Sequence, residues 1–176
     1  MTTSPFISAL SRGLTVSWPE LAARYLEEYL DKLHFALGQL PADRLWWRPT
    51  PESNSVANLV LHLCGNLSLW LLVGVGGASI SRDRAAEFAA RDGAGAAELA
   101  ARLDAVVRRC TALLRGLRAE EVERAVSIQG YATDVRGAVF HAVEHMSYHT
   151  GQILLLLKQS LPAGERLELY PQHRGE

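Results

Sequence analysis

The sequence predicts an all-α four-helix bundle, and three observations carry that reading. Four stretches of roughly 20–27 residues place apolar side chains at three- and four-residue steps, the period of a helix face. Proline and glycine clusters separate these stretches. No segment reads as a convincing strand, which disfavours mixed folds. At 176 residues the chain is read as a single domain, 1–176, long enough to bury a core.

The first helix is expected over about 15–40, where Leu21, Tyr25, Leu26, Tyr29, Leu33, Leu37 and Leu40 alternate with charged residues before Gly38 and Pro41 end it. The loop 41–53 holds Pro41, Pro49 and Pro51, so no helix continues through it, and Trp46 and Trp47 are expected to cover the bundle's end. A second helix follows over about 54–73, capped by Ser53, Asn54 or Ser55 and stopped by Gly74, Gly76 and Gly77. The charged loop 74–93 carries a short helical turn near 83–90 and is long enough to cross the bundle, so a simple up-down order is not forced. The third helix spans about 94–117, with Leu99, Leu103, Val106, Cys110, Leu113, Leu114 and Leu117 on its apolar stripe. A connector, 118–132, leads to Thr133 as cap of the fourth helix, with Asp134 set against the helix dipole. That helix runs to about 160, and an irregular tail packs through Leu167, Leu169 and Tyr170.

A net charge of −1, with acids and bases interspersed, leaves no basic footprint for nucleic acid. The N-terminus lacks the cationic and apolar regions of a secretory signal. Residues 59–75 approach the length of a bilayer span but contain His62, Asn66 and Ser68, so a core helix is expected and no membrane. Cys64 and Cys110 both sit in apolar periodic segments and read as buried thiols of a cytoplasmic protein.

His145 and His149 are the feature that points at chemistry. An i, i+4 pair projects from one helix face, and two such imidazoles can bind one metal ion at about 2.0–2.1 Å each. The same spacing also suits core histidines bonded to backbone carbonyls, and the pair alone leaves both readings open. His62 is the best third ligand, since Asn58, His62 and Asn66 form a polar stripe whose burial needs partners, with His145, His149 and Gln152 expected to face it. His141 lies a further turn back and drifts about 40° around the helix per i, i+4 step, so it is set outside the ligand group. Glu144 either bonds an imidazole or faces solvent, and Cys64 points away from the ligand face of His62. No HExxH motif supports a zincin peptidase. His34 and His173 read as surface residues.

The segment EHMSYHTGQILLLLK resembles the H-x-x-x-H-x-G-Q-I signature of the DinB superfamily, damage-inducible-like bacterial proteins related to thiol S-transferases. NSVANLVLHLCGNLSLWL is similar to that family's N-S-[IV] to H-L-x-G-N motif. RDRAAEF, WWRPTPESN and YPQHRG look like one branch of it, so the resemblance runs along nearly the whole chain. It implies a DinB-like bundle in up-down-down-up order, commonly dimeric, with a divalent metal held by three histidines, here His62, His145 and His149. Zinc or nickel is the expected ion, although imidazole also suits iron and copper.

The leading functional expectation is a metal-dependent enzyme, either a hydrolase or a transferase joining a low-molecular-weight thiol to a small electrophile, with the resemblance favouring the second. Asn66 and Gln152 are expected beside the ligands, and Tyr148 as a proton donor or a core residue. The alternative is a non-catalytic, dimeric metal-binding bundle of a stress-associated kind. Apolar helix faces make a homodimer plausible without assigning its interface. An accessible pocket at the metal separates the readings, because a closed site excludes an enzyme.

Overall fold

The structure, a computed structural model, describes residues 16–162 and Leu167. Helix α1, Trp18–Gln39, starts where the Ser17 hydroxyl accepts the Glu20 amide and stops before Pro41. Its buried stripe of Ala22, Ala23, Leu26, Leu30, Leu33, Ala36 and Leu37 follows the helical period. Helix α2, Val56–Leu67, is capped by Ser55, which exchanges bonds with Asn58 in a capping box.

The expected uninterrupted second helix needs one correction. From Ser68 to Val75 the chain widens into a π-helix, closed by a Gly76 amide that donates to the Leu71 carbonyl five residues back, 2.8 Å away. Gly77, at φ +71°, then turns the chain out of the helix. Val56–Val75 is long and apolar enough to cross a membrane by length and composition, yet most of it is buried inside the bundle. A short helix, α3 (Arg84–Ala89), is capped by the Asp83 carboxylate. Helix α4, Ala96–Gly116, buries Leu99, Leu103, Val107, Cys110 and Leu114.

A second correction concerns the connector, which contains an antiparallel hairpin, β1 (Ala125–Ile128) and β2 (Tyr131–Asp134). Gln129 and Gly130 form its turn with both φ angles positive, the two-residue geometry that matches strand twist. Ile128 is buried against the π-helix at Gly74, where a Cβ would strike its side chain. Helix α5, Val135–Ser160, is capped by Asp134, not Thr133: its carboxylate accepts the Gly137 amide at 2.7 Å. Leu167 packs on the core; Leu169, Tyr170 and His173 lie outside the described residues.

Named contacts orient the four long helices. Arg115 near the end of α4 pairs with Glu20 and Glu27 near the start of α1, so those two run antiparallel. The Cys110 thiol points at the Leu67 carbonyl, late helix to late helix, which makes α2 and α4 parallel. His62 meets His145 while the later Asn66 meets the earlier His141, so α2 and α5 are antiparallel. The order is therefore up-down-down-up, with α1 and α2 each packed on α4 and α5. Trp46 and Trp47 do close one end, Trp46 Nε1 donating to the Ala94 carbonyl at 3.2 Å.

Candidate metal centre

The antiparallel α2–α5 seam brings His62, His145 and His149 together, with one ligand atom from each lying within 4.8 Å of the others. His62 Nε2 and His145 Nε2 are 3.1 Å apart. Two nitrogens bound at about 2.0–2.1 Å to one ion, at tetrahedral to octahedral angles, sit roughly 2.9–3.4 Å from each other, so the spacing fits a shared cation. His149 directs Nδ1 at the Gln152 amide oxygen, 2.7 Å away, which leaves Nε2 free. His145 Nδ1 is buried without a hydrogen-bond partner. A metal-free polar network would need partners for every imidazole nitrogen, and His145 Nδ1 has none.

Burial disfavours the charged form of His145 and His149, leaving the neutral ring that binds metal. Burial, joined by the neighbouring charges of His149, His62, His141 and Arg82, pushes His145 down to about 3. Burial also lowers His149, against the opposing bond to Gln152, and lowers His141. Cys64 stays outside the group, its thiol pushed up to about 12 by burial.

Glu87 completes the support of His62, and sequence reasoning did not single it out. Its Oε2 lies 3.0 Å from His62 Nδ1, while Arg82 grips both carboxylate oxygens at 2.6 and 2.8 Å. Burial pushes the Glu87 carboxyl up, but the bonds from Arg82 and His62 outweigh it and hold it below its usual value. A carboxylate receiving the outer N–H of a ligating imidazole fixes the tautomer that presents the other nitrogen. Gly65, one turn beyond His62, makes this approach possible: a Cβ there would collide with the Glu87 carboxylate. Asn58 donates to the carbonyls of Glu87 and Ala90, at 2.8 and 3.0 Å, and Arg48 reinforces that anchor by donating to Asn58, Phe88 and Ala90. The expected polar stripe on α2 is thus divided. Asn58 serves α3, and only His62 and Asn66 face α5.

Other expectations sort cleanly. His141 is outside the ligand group, its ring tilted against Trp70 at 3.9 Å between ring centroids. Asn66 lies beside it, Nδ2 to Nε2 3.5 Å. Tyr148 is 59% exposed and meets His149 edge-on from outside, so it is not a core residue. Glu144 is exposed and contributes only a distant charge. A cavity of 590 Å³ opens onto His62 and His145 and is walled by Asn66, Trp70, Arg82, Arg84, Tyr131 and His141.

A family model described as a protein of unknown function, DUF1572, matches residues 15–165. The chain belongs to that family. No curated protein matches this DUF1572 chain. Solved structures do share its fold. A conserved protein from Enterococcus faecalis superposes with a TM-score of 0.71 at 15% identity, covering 83% of this chain and 98% of its own. A DinB-like protein, YjoA from Bacillus subtilis, gives 0.63 at 17% identity, covering 85% and 96%. YfiT from Bacillus subtilis, described as a probable metal-dependent hydrolase with an unusual four-helix bundle topology, gives 0.69 at 20% identity, covering 85% and 92%. The DUF1572 chain therefore has the DinB-like four-helix bundle fold.

Proposed function

We propose that this DUF1572 protein is a divalent-metal-dependent enzyme acting on a small molecule, with His62, His145 and His149 holding the metal. One observation carries the reading: three imidazoles converge, two of them, His62 and His145, at the wall of an open cavity, with no fourth His, Cys, Asp or Glu in their group among the described residues. A closed structural site lacks such an opening. The donor set suits zinc or nickel. A divalent cation bound there supplies Lewis acidity, which brings a coordinated nucleophile's pKa toward neutrality.

The chain's own residues divide the remaining work. Glu87 and Gln152 orient His62 and His149 through their Nδ1 atoms. His141, its charged form disfavoured by burial, lines the cavity and is the proton acceptor of this reading, its Nε2 exchanging the 3.5 Å contact with Asn66 Nδ2 for the proton. Trp70 packs against that ring at 3.9 Å between centroids. Hydrolysis is the leading reaction, supported by the resemblance to YfiT. Transfer of a low-molecular-weight thiol to an electrophile is the second reading, favoured by the motifs around His62 and His149. A cytoplasmic homodimer is part of the same proposal, the free Cys64 and Cys110 thiols suiting a reducing compartment.

The test is elemental analysis of untagged, reconstituted protein, followed by parallel screens for ester or amide hydrolysis and for conjugation of common bacterial thiols. About one ion per chain is expected, and His149→Ala is expected to fold but hold no metal and show no turnover. Failure of the wild type to retain metal, or turnover that survives metal loss in His149→Ala, sinks the reading.

A further inference from the structure

We propose that the cavity beside the three histidines takes a small organic anion, a carboxylate, and that Arg84 docks its charged end. This rests on the metal-enzyme reading and names its substrate class.

The cavity wall is one-sided in charge. It contains Arg82 and Arg84 but no Asp or Glu side chain. Arg82 is committed, its guanidinium spent on both oxygens of Glu87. Arg84 has no carboxylate partner among the described residues. Asp83, its neighbour in sequence, is turned to the α3 backbone, accepting the Ala86 amide at 2.9 Å. A cation at the histidines would add to this field, so the wall favours a ligand that brings negative charge.

Arg84 is also held in a binding posture. Its guanidinium carbon lies 4.9 Å from the centroid of the Phe88 ring, and Phe88 packs on His62 at 4.6 Å between centroids. Packing against an aromatic ring restrains the guanidinium and leaves its N–H fork for a carboxylate, the bidentate match that a lysine does not reproduce. Phe88 thereby ties the anion site to the metal site. The remaining wall is suited to an organic body: Trp70 and Tyr131, with centroids 6.3 Å apart, present ring surface beside the hairpin. A volume of 590 Å³ falls in the range of small-molecule sites.

The test uses benzoate and its neutral analogue benzamide, titrated by calorimetry and tryptophan fluorescence into both the metal-free and the reconstituted protein. Benzoate is expected to bind at least about tenfold more tightly than benzamide in both forms, the ion pair being the difference. Arg84→Gln should bring benzoate down to the benzamide level, and Arg84→Lys should fall between, its charge kept and its fork lost. Equal binding of benzoate and benzamide, benzoate affinity unchanged in Arg84→Gln, or no saturable benzoate binding by the wild type each overturns the proposal. The two readings fail separately. Arg84-dependent discrimination in a protein that never retains metal removes the metal reading alone; stoichiometric metal with an indifferent Arg84→Gln removes the anion site alone.

Discussion

The two sides of the bundle differ in what they bury. Helices α1 and α4, which pack on each other, bury Leu26, Leu33, Leu99, Leu103 and Leu114 fully, with Lys32 and Thr111 their buried polar side chains. Where α2 meets α5, the buried set includes His62, Asn66, His149 and Thr150. Burying leucine is favourable by about 1.5–3 kcal/mol per side chain, whereas burying a polar group costs free energy unless it is bonded. Apolar burial supplies stability on both sides, Leu63, Leu67, Met146, Ile153 and Leu157 being fully buried on α2 and α5. The α2–α5 side spends some of it to hold imidazoles whose polar atoms are incompletely satisfied, as the lone His145 Nδ1 shows. The bundle carries its site on one seam, and there polar burial draws on the stability that both seams supply.

The largest expected effect breaks the α1–α4 side alone. Leu103→Ala should cost about 2–5 kcal/mol, since a fully buried leucine is replaced with a cavity. For a chain of this length that lowers Tm by roughly 4–20 °C. Metal content at room temperature should be unchanged. A Leu103→Ala protein that unfolds normally but loses metal would show that the two seams are not separable.

Next in size is Glu87→Gln, which strikes the other seam. Removing the charge that accepts the outer N–H of His62 should weaken metal binding about 10–100-fold, read by competition with a chelator, and should also lower the metal-free Tm, because the largely buried Arg82 loses its counter-charge. Gly65→Ala should act in the same direction, because its Cβ displaces the Glu87 carboxylate. An unchanged metal affinity in both variants would mean that α3 is merely packed against the site.

Acid should also distinguish the seams. In the unfolded chain imidazoles take up protons near pH 6.5, whereas folded His145 resists until about 3, chiefly because it is buried. Between those values the unfolded state binds more protons, so stability is fully present above about pH 6.5 and falls as the pH drops. His149 and His141, lowered by burial, act in the same sense. Metal-free Tm measured from pH 8 to 5 should decline, and His145→Ala should flatten that decline. Leu103→Ala should shift the whole curve without changing its slope.

The difference between the seams also explains what was legible in the sequence. Leucine periodicity marks α1 and α4 because apolar spacing is local. The i, i+4 spacing of His145 and His149 is equally local, and α2 supplied His62 through its own motif. Glu87 was not legible, although RDRAAEF stood out as a segment: its role depends on a six-residue helix docking where Gly65 leaves room, a tertiary fact. The hairpin escaped because its strands have four residues each and its turn uses Gln129 at φ +54°, where Asn is the usual signal. Of the two roles open to Tyr148, proton donor or core residue, the structure removes the second. One residue is about 100° of helix, which turns it outward.

The smallest expected effect lies on the outer rim of the α1–α4 seam. Arg115 reaches Glu27 through two bonds of 2.7 and 2.8 Å and Glu20 through one of 2.9 Å, bridging α4 to α1. The geometry is that of a strong bidentate pair, yet Arg115 is 42% exposed and Glu27 43%, so water and salt screen most of the attraction. Arg115→Ala should therefore cost about 0.2–1 kcal/mol. The loss should shrink further in concentrated sodium chloride, and metal binding should stay as in the wild type. Thermal melts at low and high salt measure this directly. A penalty as large as that of Leu103→Ala, persisting at high salt, would move the strength of the α1–α4 seam from its leucines to its surface charges.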